Sequence, residues 1–390
     1  MKKIGIIFII ILQFYFSKAQ ETEIIVGAEQ SQEYFNLIRN KKVGLVANHT
    51  SIVKGIHLLD FLISENINVV AVFAPEHGFR GEAAAGELVS DGRDLKTGVK
   101  IESIYGSNYK PSVEQLEGID VMIFDIQDVG CRFYTYTSTL HYIVEACAEN
   151  DILLIVFDRP NPNGDYIAGP VLKNEFQSFV GMDPIPVVHG CTIGEMALMI
   201  NGEGWHQCEK KCDIIVIPVQ NYTHDTRYSL PIAPSPNLPN DLSVRLYPSL
   251  CFFEATSVSI GRGTEFPFQV IGYPNKEFGD FSFTPVEISG VALNPKQEGN
   301  ICYGEDLRNL NKAPLFTLDF FLKYYKKFKV EEEFLTRENW LNLLSGDDQF
   351  IKLIREGKSK EEIYNWMKIG LDNYNKIRTK YLLYTDFNSL

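Results

Sequence analysis

Five short apolar runs in the first half of the chain each stop at residues able to do chemistry. Val43–Ala47 ends in Asn48-His49, and Val69–Phe73 runs into Pro75-Glu76-His77-Gly78. Val121–Phe124 ends in Asp125, with Gln127 and Asp128 following; Ile152–Phe157 ends in Asp158-Arg159, and Ile185–Val188 in His189-Gly190. One polar strand end carries little information, because turns and helix caps use the same residue types. Five in succession point to a shared edge, since the carboxyl ends of strands in an open parallel sheet lie together and ligands bind in the crevice outside them. Glu254, Arg80, Arg132 and Arg262 add charge to this set, and Tyr134 and Tyr136 add aromatic faces. Carboxylates beside aromatic rings suit carbohydrate chemistry, in which a carboxylic acid protonates a glycosidic oxygen and ring faces cover the sugar. The same carboxylates and imidazoles (His49, His77, Asp125, Asp158, His189) would also suit a metal-dependent hydrolase.

Glu76 stands apart from the other carboxylates. Pro75 fixes the backbone before it, and Gly78 permits a sharp turn after it. A carboxylate held in this way on a rigid strand end is placed as a general acid should be. Asp125 and Asp158 have a structural reading beside the functional one, as helix caps or as partners of Arg132 and Arg159. Glu195, three residues after Thr192, reads as the second half of a capping box. Glu254 lies between Phe253 and Ala255 and, if buried, needs a partner. Phosphate and nucleotide motifs are missing: Gly261-Arg262-Gly263 is followed by Phe266 where a third glycine would stand, and no P-loop, nucleophile elbow or H-E-x-x-H occurs. No cofactor and no bound metal is expected.

The elements that must position these groups follow from periodicity. The five runs and Ile214–Ile217 are apolar on both faces, as strands buried in a parallel sheet are. Between them, Leu140, Ile143, Val144 and Cys147 share one helical face, and Thr192 starts a helix over 193–201. Repeated strand–helix–strand units imply an α/β fold with a Rossmann-like, doubly wound, mostly parallel sheet. Four prolines between Pro231 and Pro239 form an irregular crossing segment. Beyond it, short strand-like pieces at 257–260, 268–271, 286–288 and 290–293 precede helical patterns from about Thr317. This predicts a Rossmann-like domain over 20–246 and a smaller α+β domain over 247–390.

Of the 390 residues, 45% are hydrophobic and 22% charged, a balance that excludes disordered and collagen-like chains. A net charge of −13 without a basic run argues against a nucleic-acid partner. At the start, Lys2-Lys3, an apolar run from Ile4 to Phe16 and Ser17-Lys18-Ala19 have the form of a cleavable signal peptide over 1–19. The run is shorter than the roughly 20 residues a bilayer crossing needs. A periplasmic or secreted protein with no membrane span after processing is expected. Seven cysteines leave at least one unpaired; free thiols are expected, with a Cys208–Cys212 bridge as the alternative.

Longer motifs carry a resemblance. Phe73-Ala74-Pro75-Glu76-His77-Gly78-Phe79-Arg80-Gly81, Phe124-Asp125-Ile126-Gln127-Asp128, Arg132-Phe133-Tyr134-Thr135-Tyr136 and Asp158-Arg159-Pro160-Asn161 occur in order. They are followed by His189-Gly190-Cys191-Thr192, Pro234-Ser235-Pro236-Asn237, Tyr247-Pro248-Ser249 and Gly261-Arg262-Gly263-Thr264. Together they resemble the NamZ-type exo-β-N-acetylmuramidases over about residues 40–385; Cys191 and Ala255 replace an expected Met and Gly. The resemblance implies an exo-acting glycoside hydrolase that releases N-acetylmuramic acid from the non-reducing end of peptidoglycan-derived muropeptides or disaccharides. It also implies a site in the cleft between the two domains, with Glu76 as the leading catalytic group. Asp125, Glu254 or a tyrosine would supply a second group, with His77 and His189 tuning them. An arginine (Arg80, Arg132 or Arg262) would hold the lactyl carboxylate of muramic acid. Asn48, Gln127 and Asn237 would contact hydroxyl or acetamido groups. A non-catalytic cell-wall sugar-binding protein is the remaining alternative.

Overall fold

The computed structural model describes residues 23–76, 78–80, 91–310 and 312–388. The expected signal segment and His77 lie outside these.

The apolar runs of the first half form the centre of the molecule. Strands β1 (Lys42–Ala47), β2 (Asn68–Ala74), β3 (Gly92–Arg93), β4 (Lys100–Ser103), β5 (Val121–Asp125) and β6 (Leu153–Phe157) are followed by a ribbon, β7 (Ala168–Val171) with β8 (Pro186–Val188), and by β9 (Ile214–Ile217). The main sheet has the order β9-β6-β5-β1-β2-β4-β3. Six of its strands run parallel and only the short β3 is antiparallel. Counting the parallel strands alone, this is the 3-2-1-4-5-6 order of a doubly wound sheet. Its direction of winding reverses between β1 and β5.

Two strand assignments differ from the sequence reading. Ile185–Val188 is not in the main sheet; its last three residues pair antiparallel with β7, and Pro186, lacking an N–H, suits a two-stranded ribbon better than a central strand. The strand β4, Lys-Ile-Glu-Ser, has half-exposed positions and two charges, so no apolar run announces it.

The helices fall as the periodicity predicts. Tyr136–Glu149 buries Leu140, Ile143, Val144 and Cys147, and Ile193–Glu203 begins with a complete Thr192/Glu195 capping box. A helix over Asp241–Leu250 leads from the first part of the chain into the second. There the small sheet consists of Val270–Tyr273, Phe281–Phe283 and Cys302–Asp306, ordered with the last strand in the middle. The pieces expected as strands at 257–260, 286–288 and 290–293 form only isolated bridges, at Ser259 and between Ile288 and Ala292. Helices Asp319–Lys327, Glu331–Phe334, Glu338–Ser345, Gln349–Arg355 and Lys360–Arg378 complete this smaller domain.

The smaller domain closes over the first. Arg378, at the end of the last helix, donates to the Gly190 carbonyl at 2.9 and 2.8 Å. Tyr384 beyond it donates to Asp158 at 2.5 Å. All seven cysteines are free thiols, and all but Cys208 are buried.

Candidate active site

Glu76 sits one residue past Pro75 at the carboxyl end of β2. The turn it occupies is closed by a hydrogen bond from the Gly78 N–H to the Pro75 carbonyl at 3.0 Å. Gly78 has φ +72°, a conformation that favours glycine. The Glu76 carboxylate accepts from the Thr135 hydroxyl at 2.8 Å, and the Tyr105 hydroxyl is a further partner. Its backbone carbonyl accepts from the Tyr136 hydroxyl at 3.3 Å, and Tyr136 in turn accepts from the Asn48 amide at 2.7 Å. Burial and the Glu76 charge together push the Tyr105 and Tyr136 phenols far above the ordinary tyrosine range, so both remain donors.

Glu76 faces a cavity of about 620 Å³, within the ordinary range for small-molecule sites. The walls come from both parts of the chain. Tyr105, Tyr109, Phe133, Tyr134 and Phe179 contribute from the Rossmann-like part, and Tyr247, Glu254, Arg262, Phe268, Lys296, Arg337 and Trp340 from the helix link and beyond. Tyr109 and Phe179 are stacked, with ring centroids 3.9 Å apart and planes 22° apart, beside Tyr105. Such a face matches the flat apolar side of a sugar ring.

Glu254 lies in the 3-10 turn Cys251–Ala255. Its Oε1 accepts from Arg262 Nε at 3.0 Å and from Arg262 Nη2 at 2.6 Å. Lys296 clamps the same turn, donating to the carbonyls of Phe253 at 2.9 Å, Glu254 at 2.7 Å and also Thr256. Burial lowers the Lys296 ammonium to about 8. Asn237, from the proline-rich segment, donates to the Val291 carbonyl at 2.7 Å, while its Oδ1 is buried at the cavity without a partner among the described residues.

Of the residues singled out from sequence, the structure brings Glu76, Glu254, Tyr134, Asn237 and Arg262 to this cavity. The other described candidates are placed elsewhere, and His77 lies outside the described residues. Asp125 is fully buried against Arg159, at 2.7 and 2.9 Å, and its carbonyl accepts from Ser51. Asp158 accepts from Thr192 Oγ1 at 2.7 Å, the Gly194 N–H at 2.8 Å and Tyr384, and so fastens a helix start and the chain's last segment. Burial raises its carboxyl to about 6. Arg132, fully buried, donates to the carbonyls of Pro170, Ile185 and Leu344, and burial brings its guanidinium down to about 9. Arg80 is held by Asp94 and Asp60. Gln127 donates to the carbonyls of Asp128 and Pro160. His189 is buried, accepts from the Cys191 N–H and lies 3.3 Å from Asp128. His49 bonds the Ala233 carbonyl at 2.9 Å. Asn48 and Tyr136 stand behind Glu76 rather than at the cavity wall.

Of the donors of the metal reading, His49, Asp125, Asp158 and His189 are engaged separately, and among the described residues no three His, Cys, Asp or Glu side chains are placed to hold a metal ion. Sequence reasoning missed Thr135, Tyr105, Tyr109, Phe179, Lys296, Arg337 and Trp340. Thr135 lay inside a motif already singled out; the others come from loops and short helices with no local signature.

Sequence-family models described as exo-β-N-acetylmuramidase NamZ, N-terminal and C-terminal, match residues 43–242 and 245–384. A Bacillus subtilis (strain 168) protein described as peptidoglycan β-N-acetylmuramidase NamZ is 36% identical over 374 residues, covering 90% of this chain and 89% of its own. A crystal structure of a DUF1343 family protein from Bacteroides fragilis NCTC 9343 superposes with a TM-score of 0.85 at 46% identity, covering 94% of this chain and 100% of that one. A second DUF1343 family protein from the same organism gives 0.79 at 30% identity, covering 93% and 99%.

Proposed function

The chain belongs to the NamZ exo-β-N-acetylmuramidase family, and from that premise we propose that it releases N-acetylmuramic acid from the non-reducing end of peptidoglycan-derived fragments. It is a glycoside hydrolase, and the bond cut is the β-1,4 link to N-acetylglucosamine. What supports the assignment of the site is that Glu76 and Glu254, from opposite parts of the chain, line one aromatic-walled cavity. Glu76 protonates the leaving oxygen. Glu254, oriented by Arg262, is the second group, steadying the oxocarbenium-like state or activating water. The stacked Tyr109 and Phe179 cover a sugar face.

The test is Glu76→Gln assayed with a chromogenic β-N-acetylmuramide. Turnover is lost while muropeptide binding survives. A variant within tenfold of wild type removes Glu76 from the acid role.

Export completes the reading. Lys2-Lys3, the apolar run and Ser17-Lys18-Ala19 support cleavage before Gln20 and a periplasmic or secreted location. The mass of the protein recovered from the periplasm or medium decides it: an uncleaved amino terminus overturns the cleavage. The two domains are taken to meet near residue 246, within the linking helix.

A further inference from the structure

We propose that Arg337 recognises the lactyl carboxylate of the muramic acid ring and so sets the preference for N-acetylmuramic acid over N-acetylglucosamine. This rests on the muramidase reading and adds the group that separates the two sugars. They differ by one ether-linked lactyl group at O3, which carries a carboxylate. The strongest match for that carboxylate is a cation which no protein carboxylate already neutralises.

Among the described residues, three basic side chains line the cavity: Arg262, Lys296 and Arg337. Arg262 is committed to Glu254 through two hydrogen bonds to the same oxygen. Lys296 directs its ammonium at three backbone carbonyls. Arg337 differs from both. Its guanidinium lies over the Trp340 ring, 4.9 Å from the centroid. The adjacent Glu338 is turned away, held by Arg355 at 2.8 and 2.6 Å. Among the described residues no carboxylate stands within ion-pair distance of Arg337. An arginine plane resting on an indole keeps its N–H edge open for two parallel bonds to a carboxylate.

The placement ties this cation to the chemistry. The backbone N–H of Arg337 donates to the Ala255 carbonyl at 3.0 Å, joining this stretch of main chain to the turn that carries Glu254. Of the three arginines that the sequence offers for this role, Arg262 is held by Glu254, and Arg80 and Arg132 are occupied away from the cavity. Among the described residues, the cavity lining holds three basic groups against Glu76 and Glu254, on a chain whose net charge is −13. This local excess of positive charge matches a substrate with one carboxylate.

The experiment compares wild type, Arg337→Ala and Arg337→Lys on a chromogenic β-N-acetylmuramide. Inhibition by free N-acetylmuramic acid and by N-acetylglucosamine is measured alongside. For Arg337→Ala, kcat/KM falls roughly 10- to 100-fold, carried by KM, as expected for loss of a charge-assisted bidentate contact. Inhibition by N-acetylmuramic acid weakens in parallel, inhibition by N-acetylglucosamine does not, and Arg337→Lys recovers part of the loss. A variant within threefold of wild type, or equal losses for both sugars, overturns the proposal. If wild type cleaves no muramide, the muramidase reading itself fails. Titration of N-acetylmuramic acid against wild type and Arg337→Ala then still decides the anchor: weaker binding by the variant supports it, and equal binding overturns it.

Discussion

Thr135 donates its hydroxyl to Oε2 of Glu76 at 2.8 Å, although Thr135 occupies the N-cap position of the helix Tyr136–Glu149 and makes no side-chain cap bond there. An N-cap threonine ordinarily turns its oxygen to the free N–H groups of its own helix. Here the hydroxyl is directed to the carboxylate instead, which fixes the rotamer of Glu76 at the cavity wall. Thr135→Val is expected to lower kcat roughly 10- to 100-fold by misplacing the acid, with KM little changed. Since no cap bond is lost, the melting temperature should stay close to wild type, and Thr135→Ser should restore the rate. A Thr135→Val enzyme with an unchanged kcat and pH profile would show that Glu76 is positioned without it.

Asp125 and Arg159 form a second pair with the opposite significance. Both are buried, with two hydrogen bonds between them, at the point where the sheet reverses its winding. Breaking such a pair leaves an uncompensated buried charge and costs about 3–5 kcal/mol. Asp125→Asn should therefore lower the urea midpoint strongly, while the activity per folded molecule persists below the transition. Loss of activity without loss of stability would return Asp125 to the chemistry.

These two pairs show what the sequence could and could not reveal. The sheet was legible because β1, β2, β5, β6 and β9 are apolar on both faces. Glu76 was legible because Pro75 and Gly78 constrain it. Asp125, Asp158 and His189 carried the same signal, a titratable group at a strand end, but whether such a group faces a ligand or a partner depends on distant residues. Arg159 is 34 residues from Asp125, and Tyr384 is 226 from Asp158. No local pattern encodes that closure. The cavity was harder still, because its second wall comes from the loop at Lys296 and from the start of the short helix Glu338–Ser345, whose sequences carry no local signature.

The buried carboxyl of Asp158 makes a stability prediction with a definite sign. Its pKa is raised to about 6 by burial, above the usual carboxylate value, so the fold favours its protonated form. The group's contribution to stability is then greatest below about pH 4, declines as pH rises toward 6 and is level above that. That displacement corresponds to about 3 kcal/mol at most. Asp158→Asn removes this titration while also placing an amide among donors. The stability advantage of wild type over Asp158→Asn should shrink between pH 4 and pH 6.5 in paired denaturation curves. A constant difference would mean that Tyr384, Thr192 and Gly194 hold the carboxylate charged throughout.

Lys296 sets a limit at the alkaline side. Burial lowers its ammonium to about 8, with Glu254 opposing that shift and Arg337 and Arg262 reinforcing it. Only the protonated form can serve three carbonyls at once, so above pH 8 the turn carrying Glu254 loses one of its ties. The local excess of positive charge falls at the same time. Activity on a muramide should decline as pH rises through about 8. Stability should move the other way: a base whose folded pKa is depressed penalises the fold while it is charged, and that penalty disappears as pH rises from 8 toward the ordinary lysine range. Activity and this group's share of stability thus diverge over the same interval. Lys296→Met should be slower at neutral pH and lose the alkaline limb. A limb that persists unchanged in Lys296→Met would assign it to another group, because methionine has nothing to titrate.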